Sequence, residues 1–189
     1  MWLLLVPVAL LLGAGLAMKL RHSAPAVIPA SFAGLIDQDG ATADDRRFAG
    51  RYLLVSFGFT FCPDVCPTTL VAVHGALEKL GNDATQVAPV FVTVDPERDT
   101  AQRLKTYVAS FDPRIHAFTG APDAIAKVAE QFHVRYEKHL VPGASGYTVD
   151  HTALLYILDS ERRLVASIPE TSPQLSEKIV TALQQAWRK

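Results

Sequence analysis

The chain has 189 residues, 18 basic against 19 acidic side chains for a formal net charge of −1, and only two cysteines. The near-neutral balance lacks the basic footprint of a nucleic-acid binder, so no nucleic-acid partner is expected. Two cysteines exclude a multi-disulfide scaffold and a four-cysteine zinc site, and a composition 49% hydrophobic and 20% charged excludes a disordered chain.

Residues Trp2 to Met18 are uncharged and mostly apolar. They sum to roughly +39 on a hydropathy scale, against about +32 for the whole chain. The mean hydropathy of +0.17 therefore belongs to a leader, attached to a water-soluble domain. The stretch sits at the lower limit for a membrane-spanning helix and is long for a signal peptide. Gly15 and Ala17 suit a cleavage site, but the length favours a membrane anchor helix over residues 1–22. Lys19 and Arg21 follow the stretch, and by the positive-inside rule they would leave the domain in the cytoplasm. Residues 23–30 read as an extended, proline-containing linker, and residues 31–189 as one domain.

Within that domain, Ser31 to Gly40 ends in a turn and reads as the start of a hairpin. Tyr52 to Phe59 is short, apolar, β-branched and aromatic, as a buried strand should be. Pro67 to Gly81 carries Leu70, Val73, Leu77 and Leu80 at helical spacing. Ala88 to Val94 is a second buried strand. A helix over Asp99 to Phe111 follows, capped by Asp99 or Thr100. His116 to Thr119 is a short strand and Pro122 to Phe132 a helix. Val134 to Asp150 is polar and glycine-containing and reads as an inserted loop or small hairpin. His151 to Asp159 and Leu164 to Ile168 flank a polar turn and predict an antiparallel hairpin. Ser172 to Lys189 closes with a helix. The order predicts an α/β, thioredoxin-like fold: a central mixed sheet flanked by helices, beside the N-terminal anchor helix.

Both cysteines, Cys62 and Cys66, fall between the first buried strand and the start of its helix. Unpaired N–H groups and the helix dipole favour a thiolate there. Four residues apart across a first turn, the two can point to one side. Such a pair can hold Cu(I) or close a disulfide. A third partner is sought among six histidines. His22 lies in the segment after the leader. His74 is two turns beyond Cys66, about 12 Å along the helix axis, and cannot join. His116, His133 and His139 read as surface residues. His151 begins the strand 151–158, which places it at the carboxyl edge of a parallel sheet if that strand runs antiparallel to the first. Asp95 ends the second strand at the same edge. It could orient His151 or a basic partner, or merely cap a turn. Asp64 reads as a helix-start residue; Asp150 either supports the His151 ring or is exposed.

Three motifs and the leader carry a resemblance: FGFTFCPDVCPTTL at 57–70, VTVDPERDT at 92–100 and YTVDHTALLYILD at 147–159. Residues 31–189 resemble the SCO/SenC family of membrane-anchored, copper-binding, thioredoxin-fold proteins. The resemblance implies metal ligands at Cys62, Cys66 and His151 and a site-proximal aspartate at Asp95. It implies Cu(I) and Cu(II) as the bound metal, and a copper metallochaperone that assists the binuclear copper centre of cytochrome c oxidase. The implied partners are the copper-centre subunit of that oxidase and a further periplasmic copper chaperone. The domain would face the periplasm or the mitochondrial intermembrane space, against the charge rule above. The alternative task is reduction of the client's cysteines by Cys62 and Cys66 as a redox pair. Three residues separate the cysteines where general dithiol enzymes have two. A peroxidase would need an activating threonine, and Thr60 is badly placed for it.

Overall fold

The computed structural model describes residues 26–140 and 146–188. The predicted leader lies outside the described residues, and among those described no helix is long and apolar enough to cross a membrane. The chain runs β1 (Leu35–Asp37), β2 (Tyr52–Gly58), α1 (Val65–Leu80), β3 (Val87–Thr93), α2 (Ala101–Ala109) and β4 (His116–Gly120). It continues through α3 (Pro122–Gln131), β5 (Tyr136–Leu140), β6 (Tyr147–His151), β7 (Leu154–Leu158), β8 (Leu164–Pro169) and α4 (Leu175–Trp187). Six strands form one mixed sheet in the order β1-β4-β3-β2-β7-β8, and β5 pairs with β6 in a separate hairpin. Strands β2, β3 and β4 are parallel; β1, β7 and β8 pair antiparallel to their neighbours.

Alternation along β2 sorts the core. Leu53, Val55 and Phe57 face one side of the sheet, where Ile125, Val128 and Ala129 of α3 cover them. Leu54 faces the other side, against Val73 and Leu77 of α1 and Ile179 and Leu183 of α4. Phe91 packs with Leu70 of α1 and Leu104 and Val108 of α2. A sheet covered on both faces is what near-continuous apolar strands require, and strand period 2 decides which side chain meets which helix.

Most predicted elements recur with ends shifted by a few residues. Helix α1 starts at Val65, so Pro67 is its third residue, still within the turn that tolerates a missing N–H. Thr100, not Asp99, caps α2: its hydroxyl accepts from Arg103 N–H at 3.2 Å. The polar stretch 134–150 contains the hairpin β5–β6. Residues 26–30, predicted as linker, lie against the domain. Val27 bridges to Arg163, Ile28 N–H donates to Arg162 O at 2.9 Å, and Ile28 and Ala30 are buried.

One prediction needs correcting. His151 does not begin β7; it ends β6, paired with Tyr136, and Thr152 N–H still donates to Arg135 O. The apolar run that enters the main sheet begins only at Leu154. The chain turns at Thr152 and Ala153, so His151 belongs to the small hairpin.

Candidate metal centre

Three parallel strands end at Gly58, Thr93 and Gly120, and β7 begins and β8 ends at the same edge. Every residue of the site hangs from that edge. Cys62 follows β2, Asp95 follows β3, and His151 enters just before β7.

Helix α1 begins without a conventional cap, since the Asp64 side chain makes no capping bond. The Cys62 sulfur takes that place. It accepts from Cys66 N–H at 3.5 Å and from Asp64 N–H, so orphan donors of the first turn aim at sulfur. Cys62 is half-buried and Cys66 is 2% exposed. The Cys66 thiol donates to Cys62, which, with those N–H groups, holds Cys62 down at about 5. The same hydrogen bond and then burial push Cys66 up. At neutral pH the pair is an accessible thiolate backed by a buried thiol. Close packing fixes the buried sulfur: a Cβ on Gly58 would stand 2.7 Å from Cys66 Sγ and 3.0 Å from the Phe91 ring.

His151 Nε2 lies 3.8 Å from Cys66 Sγ. Its Nδ1 is 3.2 Å from Thr152 O. A carbonyl only accepts, so in that hydrogen bond Nδ1 carries the proton and the Nε2 lone pair faces the sulfurs. At that separation the two side chains are in direct contact. With Cys62 they could offer a metal ion a soft S,S,N donor set.

Asp95 serves the basic partner and not His151. It is fully buried. It accepts from the Arg98 guanidinium and, at 2.7 Å, from the Tyr147 hydroxyl. Arg98 also donates to Tyr147 O at 2.9 Å and lies over the Tyr147 ring at 3.8 Å. This knot ties the start of β6 to the β3 edge, and His151 ends that same strand. Asp95 therefore acts on His151 only through the hairpin. Asp99, expected as a possible helix cap, is a buried acceptor: Thr60 N–H at 2.9 Å, Thr60 Oγ1 at 2.6 Å and Thr93 Oγ1 at 2.7 Å all donate to it. It pins the turn that presents Cys62 to the end of β3. Sequence reading named Asp99 only as a helix cap and gave Gly58 and Tyr147 no role, although both stand inside the motifs at 57–70 and 147–159.

The other described histidines stand apart. His74 pairs with Asp112 at 2.8 Å. The ligating atoms of His74, Glu78 and Asp112 fall within 4.8 Å of one another. Arg114 already donates to both carboxylates there, so the group is an ion-pair network. His133 and His139 are exposed, as expected for surface residues. His116 is not a surface residue: it is partly buried against the Phe48 ring.

Comparison with known proteins gives the family and the fold. The sequence profile described as SCO1/SenC matches residues 21–188. The mitochondrial SCO1 homolog 1 of Arabidopsis thaliana is 39% identical over 132 residues, covering 69% of this chain and 39% of that protein. A SCO2-like protein of Rickettsia prowazekii is 37% identical and covers 68% of this chain, which spans 63% of its length. The structure of Bradyrhizobium japonicum ScoI with copper bound is 38% identical, with a TM-score of 0.71, covering 80% of this chain and 94% of that one. A thioredoxin-like sheet, two cysteines at a strand-to-helix turn and a profile match along nearly the whole chain lead to one assignment: the chain belongs to the SCO1/SenC family.

Proposed function

We propose that the protein is a copper metallochaperone that holds Cu(I) or Cu(II) through Cys62, Cys66 and His151 and passes it to the copper-centre subunit of cytochrome c oxidase. The observation that carries the reading is the approach of His151 Nε2 to Cys66 Sγ, 3.8 Å. Soft thiolates and imidazole suit copper in both oxidation states. Partial exposure of Cys62 leaves one ligand within reach of a partner, so the ion can leave by ligand exchange. The copper-bound ScoI relative supports the choice of metal. Anchoring through residues 1–22 would keep the site at a membrane surface, on the periplasmic or intermembrane-space side. Copper titration of the full chain tests the reading. One ion should bind per chain, with a thiolate-to-Cu(II) charge-transfer band lost in His151→Ala. No stoichiometric binding refutes it.

A second reading is reduction of the client's cysteines. The acidic, accessible Cys62 backed by a buried thiol favours it, because a thiolate attacks a disulfide and the second thiol resolves the mixed disulfide. Rapid turnover of a client-peptide disulfide by metal-free protein supports this reading, and failure to react removes it.

A further inference from the structure

Phe61 directly precedes Cys62 and is 49% exposed, a large aromatic ring left in water at the rim of the site. Two guanidinium groups lie over this ring, Arg98 at 4.7 Å and Arg103 at 4.8 Å from its centre. Arg98 also covers the Tyr147 ring, and Tyr147 stands opposite Leu140 in the β5–β6 register. Partners directly opposite in a hairpin share one face, and Leu140 is 86% exposed. One strip therefore runs from Arg103 over Phe61 and Arg98 to Tyr147 and Leu140. It joins the turn that carries Cys62 to the hairpin that carries His151. At the Arg103 end it opens into a groove of about 640 Å³, lined by Thr60, Phe61, Thr100, Thr106 and Tyr107 among others.

The charges along the strip do not balance. Arg98 is paired with Asp95, and Lys138, over the Tyr147 ring, is paired with Glu97 at 2.6 Å. Arg103 has no ion pair among the described residues, which include all 19 acidic side chains of the chain. No carboxylate lines the groove, where Arg103 is the one charged residue. An exposed arginine alone is ordinary surface chemistry. Here the guanidinium is stacked on an aromatic ring, so less freedom is lost when its planar fork binds a carboxylate. Arginine and aromatic side chains beside exposed apolar ones are also the composition of protein–protein interfaces.

We propose that this strip is the docking surface for the protein that takes the metal, and that it receives a segment of that partner in which a carboxylate, bound by Arg103, stands next to an apolar side chain laid on Phe61. The proposal rests on the metal-transfer reading and adds to it the face used and the chemistry of the partner. A partner seated there lies against both segments that carry ligands. The half-buried Cys62 is one residue from Phe61, so the partner's own ligands arrive beside the exposed side of the site. The uncompensated charge of Arg103 also steers an acidic surface toward this face.

Stopped-flow transfer tests this with the full chain in detergent, loaded with Cu(II) and followed by its thiolate charge-transfer band. The acceptors are the metal-free copper-centre domain of the oxidase subunit and, separately, a small chelator. Arg103→Glu should slow transfer to the protein acceptor roughly tenfold at low ionic strength, and the difference should shrink as salt screens it. Phe61→Ala should slow the same transfer about tenfold at every salt concentration. Both variants should keep the energy of the band and the wild-type rate to the chelator. A wild-type rate to the protein acceptor in either variant, or equal slowing with the chelator, overturns the docking role and leaves the copper reading standing. A wild-type dimer in sedimentation that Phe61→Ala dissociates gives the strip to a second copy of the chain and overturns the docking role as well. A wild type that binds no copper, or passes none to the protein acceptor, overturns the proposed function and this inference with it.

Discussion

Cys66 owes its place to a residue that has no side chain. Gly58 leaves the room that its sulfur occupies, with Phe91 closing the other side. Overpacking a core typically costs 1–3 kcal/mol. Here the movable party is the sulfur proposed to hold copper, so Gly58→Ala should keep the fold and weaken copper binding roughly tenfold or more. Circular dichroism beside a competition titration checks both halves. Asp99 is the opposite case, a charge that three donors need. Asp99→Ala leaves buried donors unpaired and should lower stability by about 3 kcal/mol, read from the denaturant midpoint. An unchanged midpoint would show that the Thr60 turn holds itself.

At the scale of elements, the β5–β6 hairpin delivers His151, and the Asp95–Arg98–Tyr147 knot holds that hairpin to the sheet. Tyr147→Phe removes one hydrogen bond, worth about 1 kcal/mol, without touching a ligand. Copper should dissociate several-fold faster, while the charge-transfer band keeps its energy; stopped-flow transfer to a chelator measures this. Asp95→Ala should likewise retain most of the binding, since Asp95 does not contact His151. Loss of the band in either variant would make the knot part of the ligand field. The hairpin is also where sequence reading stopped short. Near-continuous apolar runs and helical spacing located the main sheet and its helices, because both faces of that sheet are covered. Strand β5 is mostly exposed along its length, so no burial period marks it. His151 was placed at the correct edge by its neighbour β7 but assigned to the wrong element, since Thr152 and Ala153 carry no turn signature. The cysteine motif was legible because both cysteines of the chain stand together.

At the scale of the whole molecule, segments more than eighty residues apart meet at one sheet edge, as the 85-residue separation of Cys66 and His151 shows. The site therefore exists only in the folded domain, and stability and binding are linked. The pH response of stability carries a second signature, remote from the site. Burial first, and then Arg47 and Arg51, hold His116 down to about 4. Its folded value lies below the unfolded one, so the unfolded chain binds more protons between about 6.5 and about 4. This contribution is complete above about 6.5, fades as pH falls, and is flat below about 4. His116→Gln should remove on the order of 2 kcal/mol of that acid loss, seen as a flatter denaturation midpoint against pH. An unaltered slope would mean that other groups set it.

The central claim is that two sulfurs and one imidazole take a single copper ion at this edge. X-ray absorption spectroscopy of the full chain loaded with one equivalent of Cu(I) tests it most directly. The account predicts two sulfur neighbours and one imidazole nitrogen at the metal, with the imidazole contribution lost in His151→Ala. A site with sulfur neighbours only, or a wild-type spectrum unchanged by His151→Ala, would contradict it.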